Sequence, residues 1–191
     1  MDVKDDVGVE EYFEQVVPKI FEEQLAGSPV TGMEGTEVSL QFDITDGGTK
    51  TYSMIVKDAR ELEVKAGPVP DPLVRIVLSE DVWREAVTGK LAGAVDMFTD
   101  TRQLANRRRF DQLVDTRGTM ELDLSRPGEP NVGLTVTFNG AETPKALFRI
   151  SVDDWGKMSK GELPGVTAFM SGQLKIEGDM AFAMALGNLT G

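Results

Sequence analysis

"RIVLSEDVWREAVTGKLAGAVDMFT", residues 75–99, and "LFRISVDDWGKMSKGELPGVTAFMS", residues 147–171, decide the fold, because they are one pattern written twice. At a single ungapped offset of 72 positions, Ser79 meets Ser151, Asp81 meets Asp153, Trp83 meets Trp155, Gly89 meets Gly161 and Leu91 meets Leu163. Five identities at one offset point to one piece of structure used twice. Val74, Ile76 and Leu78 alternate, as do Ala146, Phe148 and Ile150, which is the period of a half-buried strand. Each run ends at a serine suited to cap a helix, followed by acidic residues where the helix dipole favours negative charge. Gly89 and Gly161 stand where a left-handed residue would end a helix of about two to three turns.

Upstream, the two copies start alike. "GTEVSLQFDI" from Gly35 alternates Val38, Leu40, Phe42 and Ile44, and "GTMELDL" from Gly118 alternates Met120, Leu122 and Leu124. Turn residues, "TDGGTK" at 45–50 and "SRPGEPN" at 125–131, then lead into second alternating runs, the pattern of antiparallel hairpins. A third strand, with Leu62, Val64 and Ala66, occurs in the first copy only; the second has the shorter "NGAETPK". Helical material precedes each sheet. "EEYFEQVVPKIFEEQLAG" gathers Phe13, Val16, Val17, Ile20 and Phe21 on one side, with Pro18 kinking it or starting a second helix. "TRQLANRRRFDQLVD" repeats the idea more weakly. The expectation is an α+β protein of two modules, 1–104 and 105–191, each an antiparallel sheet with helices packed on one face. No Ser/Gly-rich linker separates them, so they are expected to share an interface.

Composition narrows the chemistry. The chain has no cysteine and no histidine, which removes disulfides, thiolate nucleophiles, structural zinc and Ser-His or Cys-His pairs. Glu80-Asp81 and Asp153-Asp154 are adjacent on helices, so neither pair converges on one cleft. No catalytic residue, metal site or cofactor is expected. A net charge of -12 argues against binding nucleic acid or anionic membrane. The one basic run, Arg107 to Arg109, reads as a solvated helix face beside acidic neighbours. No apolar run approaches the roughly 20 residues of a spanning helix, so stable membrane insertion is not expected. The acidic start and the Leu-Thr-Gly end carry neither a signal-peptide nor a peroxisomal pattern, and the expected location is cytoplasmic.

The carboxyl-terminal stretch "GVTAFMSGQLKIEGDMAFAMAL", 165–186, combines an edge-like strand with a segment lacking any polar side chain. A helix apolar all round must be covered by something. From the residues alone that cover is either protein, at the module or an oligomer interface, or a ligand. The stretch resembles the closing motif of the sterol carrier protein 2 family: Ala168-Phe169-Met170, Ser171-Gly172, Leu174-Lys175-Ile176 and Gly178-Asp179-Met180 match in place, with Gln173 where the family has lysine. "FDITDGGTKTYSMIV" and "VRIVLSEDVWREAVTGKL" resemble the family's first hairpin and its strand and short helix. The chain then reads as a tandem of two such domains or as one domain with an internal duplication of about seventy residues, the tandem being favoured.

The resemblance implies an apolar tunnel between sheet and helices holding a fatty acyl chain, an acyl-coenzyme A or a sterol-like molecule, and the negative charge of the chain favours neutral or singly charged lipids, fatty acid or sterol-like, over acyl-coenzyme A. The candidate lining is Phe148, Trp155, Phe169, Met170, Leu174, Met180, Phe182 and Met184; Trp83 is read as a packing anchor. About 0.8 kcal/mol per buried methylene would let some ten methylenes hold a chain near micromolar affinity before ordering costs. The expected function is non-enzymatic lipid binding or transfer. The alternative is a scaffold or regulatory subunit whose same apolar surfaces join a homo-oligomer or a partner protein.

Overall fold

The computed structural model describes residues 3–25, 30–91 and 105–190. Along the chain run α1 (Val9–Glu11), a π-helical turn (Tyr12–Val16), α2 (Val17–Leu25), β1 (Glu37–Thr45), β2 (Thr49–Lys57), β3 (Glu61–Ala66), β4 (Val74–Ser79) and α3 (Glu80–Val87). There follow α4 (Arg107–Asp115), β5 (Gly118–Arg126), β6 (Glu129–Phe138), β7 (Lys145–Ser151), α5 (Val152–Ser159), α6 (Gly165–Met170), β8 (Lys175–Gly178) and α7 (Met180–Thr190). The strands form one sheet in the order β3-β2-β1-β4-β6-β5-β7-β8. The fold is α+β.

The expectation of purely antiparallel sheets is corrected. β1 pairs with β4 in parallel, and β5 pairs with β7 in parallel. Turn residues determine only the hairpin they close. The strand that returns after each hairpin crosses over and lands beside the hairpin's first strand, running the same way, which needs a longer connection than a turn. The first crossover, residues 67–73, lies over the face carrying Ser39, Gln41 and Ser53. Leu73 N–H donates to Ser39 Oγ at 2.9 Å, Val69 N–H to Gln41 Oε1 at 3.4 Å, and Ser53 Oγ donates to the Gly67 carbonyl at 2.9 Å.

The boundary expected at residue 104 lies outside the described residues. Strands from either side of it meet where Val74, Ile76 and Leu78 of β4 face Phe138, Val136 and Leu134 of β6. β6 has no neighbour of its own corresponding to β3, as the short "NGAETPK" foretells, and β4 occupies that edge. Pairing removes two open edges that would otherwise template aggregation. One cross-strand row runs Ala66, Tyr52, Phe42, Ile76, Val136, Met120, Ala146, Gly178 across all eight strands. Its alternate side chains define a single apolar face on which the helices pack.

Both strand-to-helix junctions have the expected form. Val82 N–H donates to Ser79 Oγ at 3.2 Å, and Asp154 N–H to Ser151 Oγ at 3.1 Å. Gly89 and Gly161 close the following turns at φ +80° and +73°. Pro18 acts differently from a plain kink: the turn before it is π-helical, with Val17 N–H bonding the Tyr12 carbonyl. Pro18 has no N–H to continue the ladder, so the wider turn and α2 divide the segment between them.

Candidate functional site

The last quarter of the chain builds an apolar surface in three steps. Ser151 starts α5, which buries Trp155 against the sheet face of β5 and β7. Pro164 then opens α6, a six-residue helix whose only buried side chain is Ala168. Its larger side chains, Val166, Phe169 and Met170, occupy positions i, i+3 and i+4, yet they are 63%, 43% and 82% exposed. This inverts the arrangement of an ordinary surface helix, which turns that stripe inward. Residues Gly165–Met170 are thus helical, and only β8, Lys175–Gly178, is the edge strand.

Asp179 caps α7 by accepting from Phe182 N–H at 2.8 Å, and Asp179 N–H bonds the Lys145 carbonyl at 2.8 Å. Two glycines permit close approach here. A Cβ on Gly178, at φ +95°, would stand 2.4 Å from the Lys145 carbonyl oxygen. One on Gly118, at φ +133°, would meet the Pro144 oxygen at 2.5 Å and the Phe182 ring at 2.8 Å. Phe182 therefore lies directly on the start of β5, its ring centre 6.5 Å from that of Phe138.

α7 has two faces although residues 180–186 are apolar throughout. Phe182, Ala183 and Leu186 point into the core, whereas Met180, Ala181, Met184 and Ala185 face outward. The eight candidate lining residues therefore divide evenly. Phe148, Trp155, Leu174 and Phe182 are buried, and Phe169, Met170, Met180 and Met184 are exposed. α4 touches α7 but buries none of its own side chains; Phe110 and Leu113 are half-buried and Val114 is exposed.

Trp155 and Trp83 share one further property. Each indole Nε1 is buried without a hydrogen-bond partner among the described residues. Because Trp83 sits among Tyr12 and its neighbours in a filled core, the bare N–H belongs to the shared scaffold and does not by itself mark a ligand.

Charged groups lie mainly on the opposite face or at helix ends. Arg149 pairs with Asp123 at 3.1 Å and also with Glu177, which removes it as a counter-charge for a lipid head group on the helix side. Arg107 pairs with Asp111 at 3.1 Å and lies over the Phe110 ring, so the basic run behaves as the solvated face expected of it. The hydrogen bond from Lys157 holds the Asp154 carboxyl below its usual range, and the same bond raises Lys157.

One carboxylate escaped sequence reading. Asp43 is buried at 3% exposure, accepts from Thr51 Oγ1 at 2.8 Å and from Gln41 Nε2 at 3.1 Å, and pairs with Arg75 at 2.6 Å. In sequence it is a polar residue at an outward strand position; in the structure Gln41, Thr51 and Arg75, from three neighbouring strands, gather around it. With its lone pairs satisfied, it is a structural ion pair. No helix among the described residues is long and apolar enough to cross a membrane.

Comparison with known proteins finds relatives in sequence and in solved structures. The chain is 34% identical over 122 residues to hydroxysteroid dehydrogenase-like protein 2 of Pongo abelii, covering 64% of this chain and 27% of that one. It is 42% identical over 80 residues to the Homo sapiens protein of the same name, covering 42% and 18%. The chain thus spans about a quarter or less of the length of these relatives. Among solved structures, sterol carrier protein domain 2 of Helicoverpa armigera is 26% identical, covers 53% of this chain and 80% of its own, and superposes with a TM-score of 0.34. Sterol carrier protein 2 like 2 of Aedes aegypti is 12% identical over 95% of this chain and 98% of its own, with a TM-score of 0.25. Residues 99–191, which contain α4 to α7 and the apolar surface just described, match the SCP-2 sterol transfer family.

Proposed function

We propose that this chain binds a lipid non-covalently in its carboxyl-terminal half, without chemistry on the ligand. The hydrocarbon would lie between the apolar face of β5 and β7 and helices α5 to α7. Phe148, Trp155, Leu174 and Phe182 would line it, and Phe169, Met170, Met180 and Met184 would form its mouth. The observation that carries this reading is the distribution of exposed apolar side chains. Among the described residues, every large one lies at or beyond Val114, and five of the six fall between 166 and 184. A patch of this kind rarely survives in a protein unless something covers it part of the time. We read the amino-terminal half, filled by its own aromatic rings, as a supporting copy of the same unit that leaves no room for a ligand.

The ligand class follows from charge. Arg149 is engaged on the far face, Arg107 pairs with Asp111, and the chain charge of -12 disfavours a polyphosphate. Neutral or singly charged lipids fit better than acyl-coenzyme A. The test is to denature the purified protein, extract it with solvent and analyse the extract by mass spectrometry. Fluorescent fatty acid titration follows on delipidated protein. Near-stoichiometric lipid and saturable uptake are expected; a clean extract with no uptake would leave a purely architectural role. Free fatty acid should displace the probe at least as well as acyl-coenzyme A does.

A further inference from the structure

From the exposed stripe of α6 we infer that this helix is the face by which the protein touches a zwitterionic phospholipid bilayer. The inference rests on the lipid-carrier reading for its purpose and shares its exposed residues, while the charge map is a separate observation. Val166, Phe169 and Met170 all face solvent, on a helix that secures itself through Ala168 alone. No charged residue occurs from 163 to 174, and none from 180 to 191. Between 157 and 191 three lysines balance three carboxylates, so the whole charge of -12 resides in residues 1–156.

That charge map chooses the occupant. An anionic bilayer would repel the acidic remainder of the chain, and two copies meeting through this face would bring two strongly acidic bodies together. A zwitterionic surface presents no net charge, and its interfacial zone accepts aromatic and thioether side chains on a short apolar face. Contact through a few residues of one short helix is shallow and reversible, as a carrier that must leave again requires.

The experiment uses the full chain and phosphatidylcholine vesicles in a flotation assay, with fatty-acid uptake measured separately in vesicle-free solution. Wild type should float with the vesicles. Val166→Glu should lower the partition coefficient at least fivefold, and Val166→Trp should raise it severalfold, while fatty-acid uptake in solution stays within twofold for both. Three results would overturn the inference: wild type remaining in the aqueous fraction, flotation indifferent to both substitutions, or binding that appears only with anionic lipid and disappears with salt. A dimer in sedimentation that Val166→Glu splits would also overturn it and assign the face to a second copy. Vesicle binding without any fatty-acid uptake would instead fail the carrier reading and leave the surface standing.

Discussion

In the amino-terminal half, rings close the apolar face of the sheet. Phe13 stacks on Tyr52 at 4.8 Å and leans on Phe42 at 5.3 Å, while Tyr12 meets Trp83 edge-on at 5.5 Å. In the carboxyl-terminal half the corresponding tryptophan, Trp155, meets no second ring among the described residues, and α4 buries nothing. The helices are also anchored differently. α3 is tied to distant parts of the chain, through Glu80 to Lys50 at 2.8 Å, Glu85 to Arg126 at 2.6 Å, and Arg84 Nη1 to the Val7 carbonyl at 2.6 Å. The charges of α5 bond one another, Lys157 to Asp154 at 2.8 Å. One strand, cap and helix arrangement thus occurs in two settings, cross-linked and filled in the amino-terminal half and loosely covered in the carboxyl-terminal half.

The largest expected effect attacks the filled half. Phe13→Ala removes the ring that joins Tyr12, Phe42 and Tyr52 and should cost about 4 kcal/mol in denaturant unfolding. Met184→Ala, on the outer face of α7, should stay within about 0.5 kcal/mol. Similar losses at the two positions would erase the contrast between the halves.

Next comes Gly178→Ala. Its Cβ would collide with the Lys145 carbonyl at a left-handed φ, and the substitution should cost about 3 kcal/mol or prevent folding. Gly161→Ala, left-handed but in open space, should cost only about 1 kcal/mol. Equal costs would show that the β8 closure is not tight.

Ser79→Ala and Ser151→Ala sharpen the comparison from the other side. The two caps have nearly the same geometry, so each loss should be about 1 kcal/mol and the two should agree. A clear inequality in their unfolding midpoints would mean that the two units are not equivalent at the junction where they look most alike.

The smallest effect is on pH dependence. Hydrogen bonds from lysines lower the Glu80 and Asp154 carboxyls, and those to carboxylates raise Lys50 and Lys157. The carboxylates therefore stabilise the fold above their ordinary range and lose that contribution as pH falls through their lowered values. The lysines contribute below their ordinary range and lose it as pH rises through their raised values. Melting temperature should be flat across neutral pH and fall at both extremes. Lys50→Met should weaken the acid-side dependence slightly, and added salt should mask the difference, because Lys50 is mostly exposed.

Much of the fold was legible because its signals are local. Alternation in Val38, Leu40, Phe42 and Ile44, the serine before each acidic turn and the glycine after each short helix all act within a few residues, and all are realised in place. The parallel pairing of β1 with β4 was not legible, since no residue near Val74 states which strand it will lie beside. Asp43 was missed for the same reason: its ion-pair partner, Arg75, arrives on β4, 32 residues later. At the candidate site, sequence singled out apolar residues but could not divide Phe182 from Met184, two positions apart on an apolar helix.

The sequence by itself determined that a strand, cap and helix unit recurs, that no histidine or cysteine chemistry is available, and that the carboxyl end carries more apolar surface than its own length can hide. Only the tertiary structure decided that the strands join in one mixed sheet, that rings fill one half, and that the outer faces of α6 and α7 remain uncovered. The reason is physical: periodicity says that a side chain is apolar, but burial depends on which distant segment arrives to cover it.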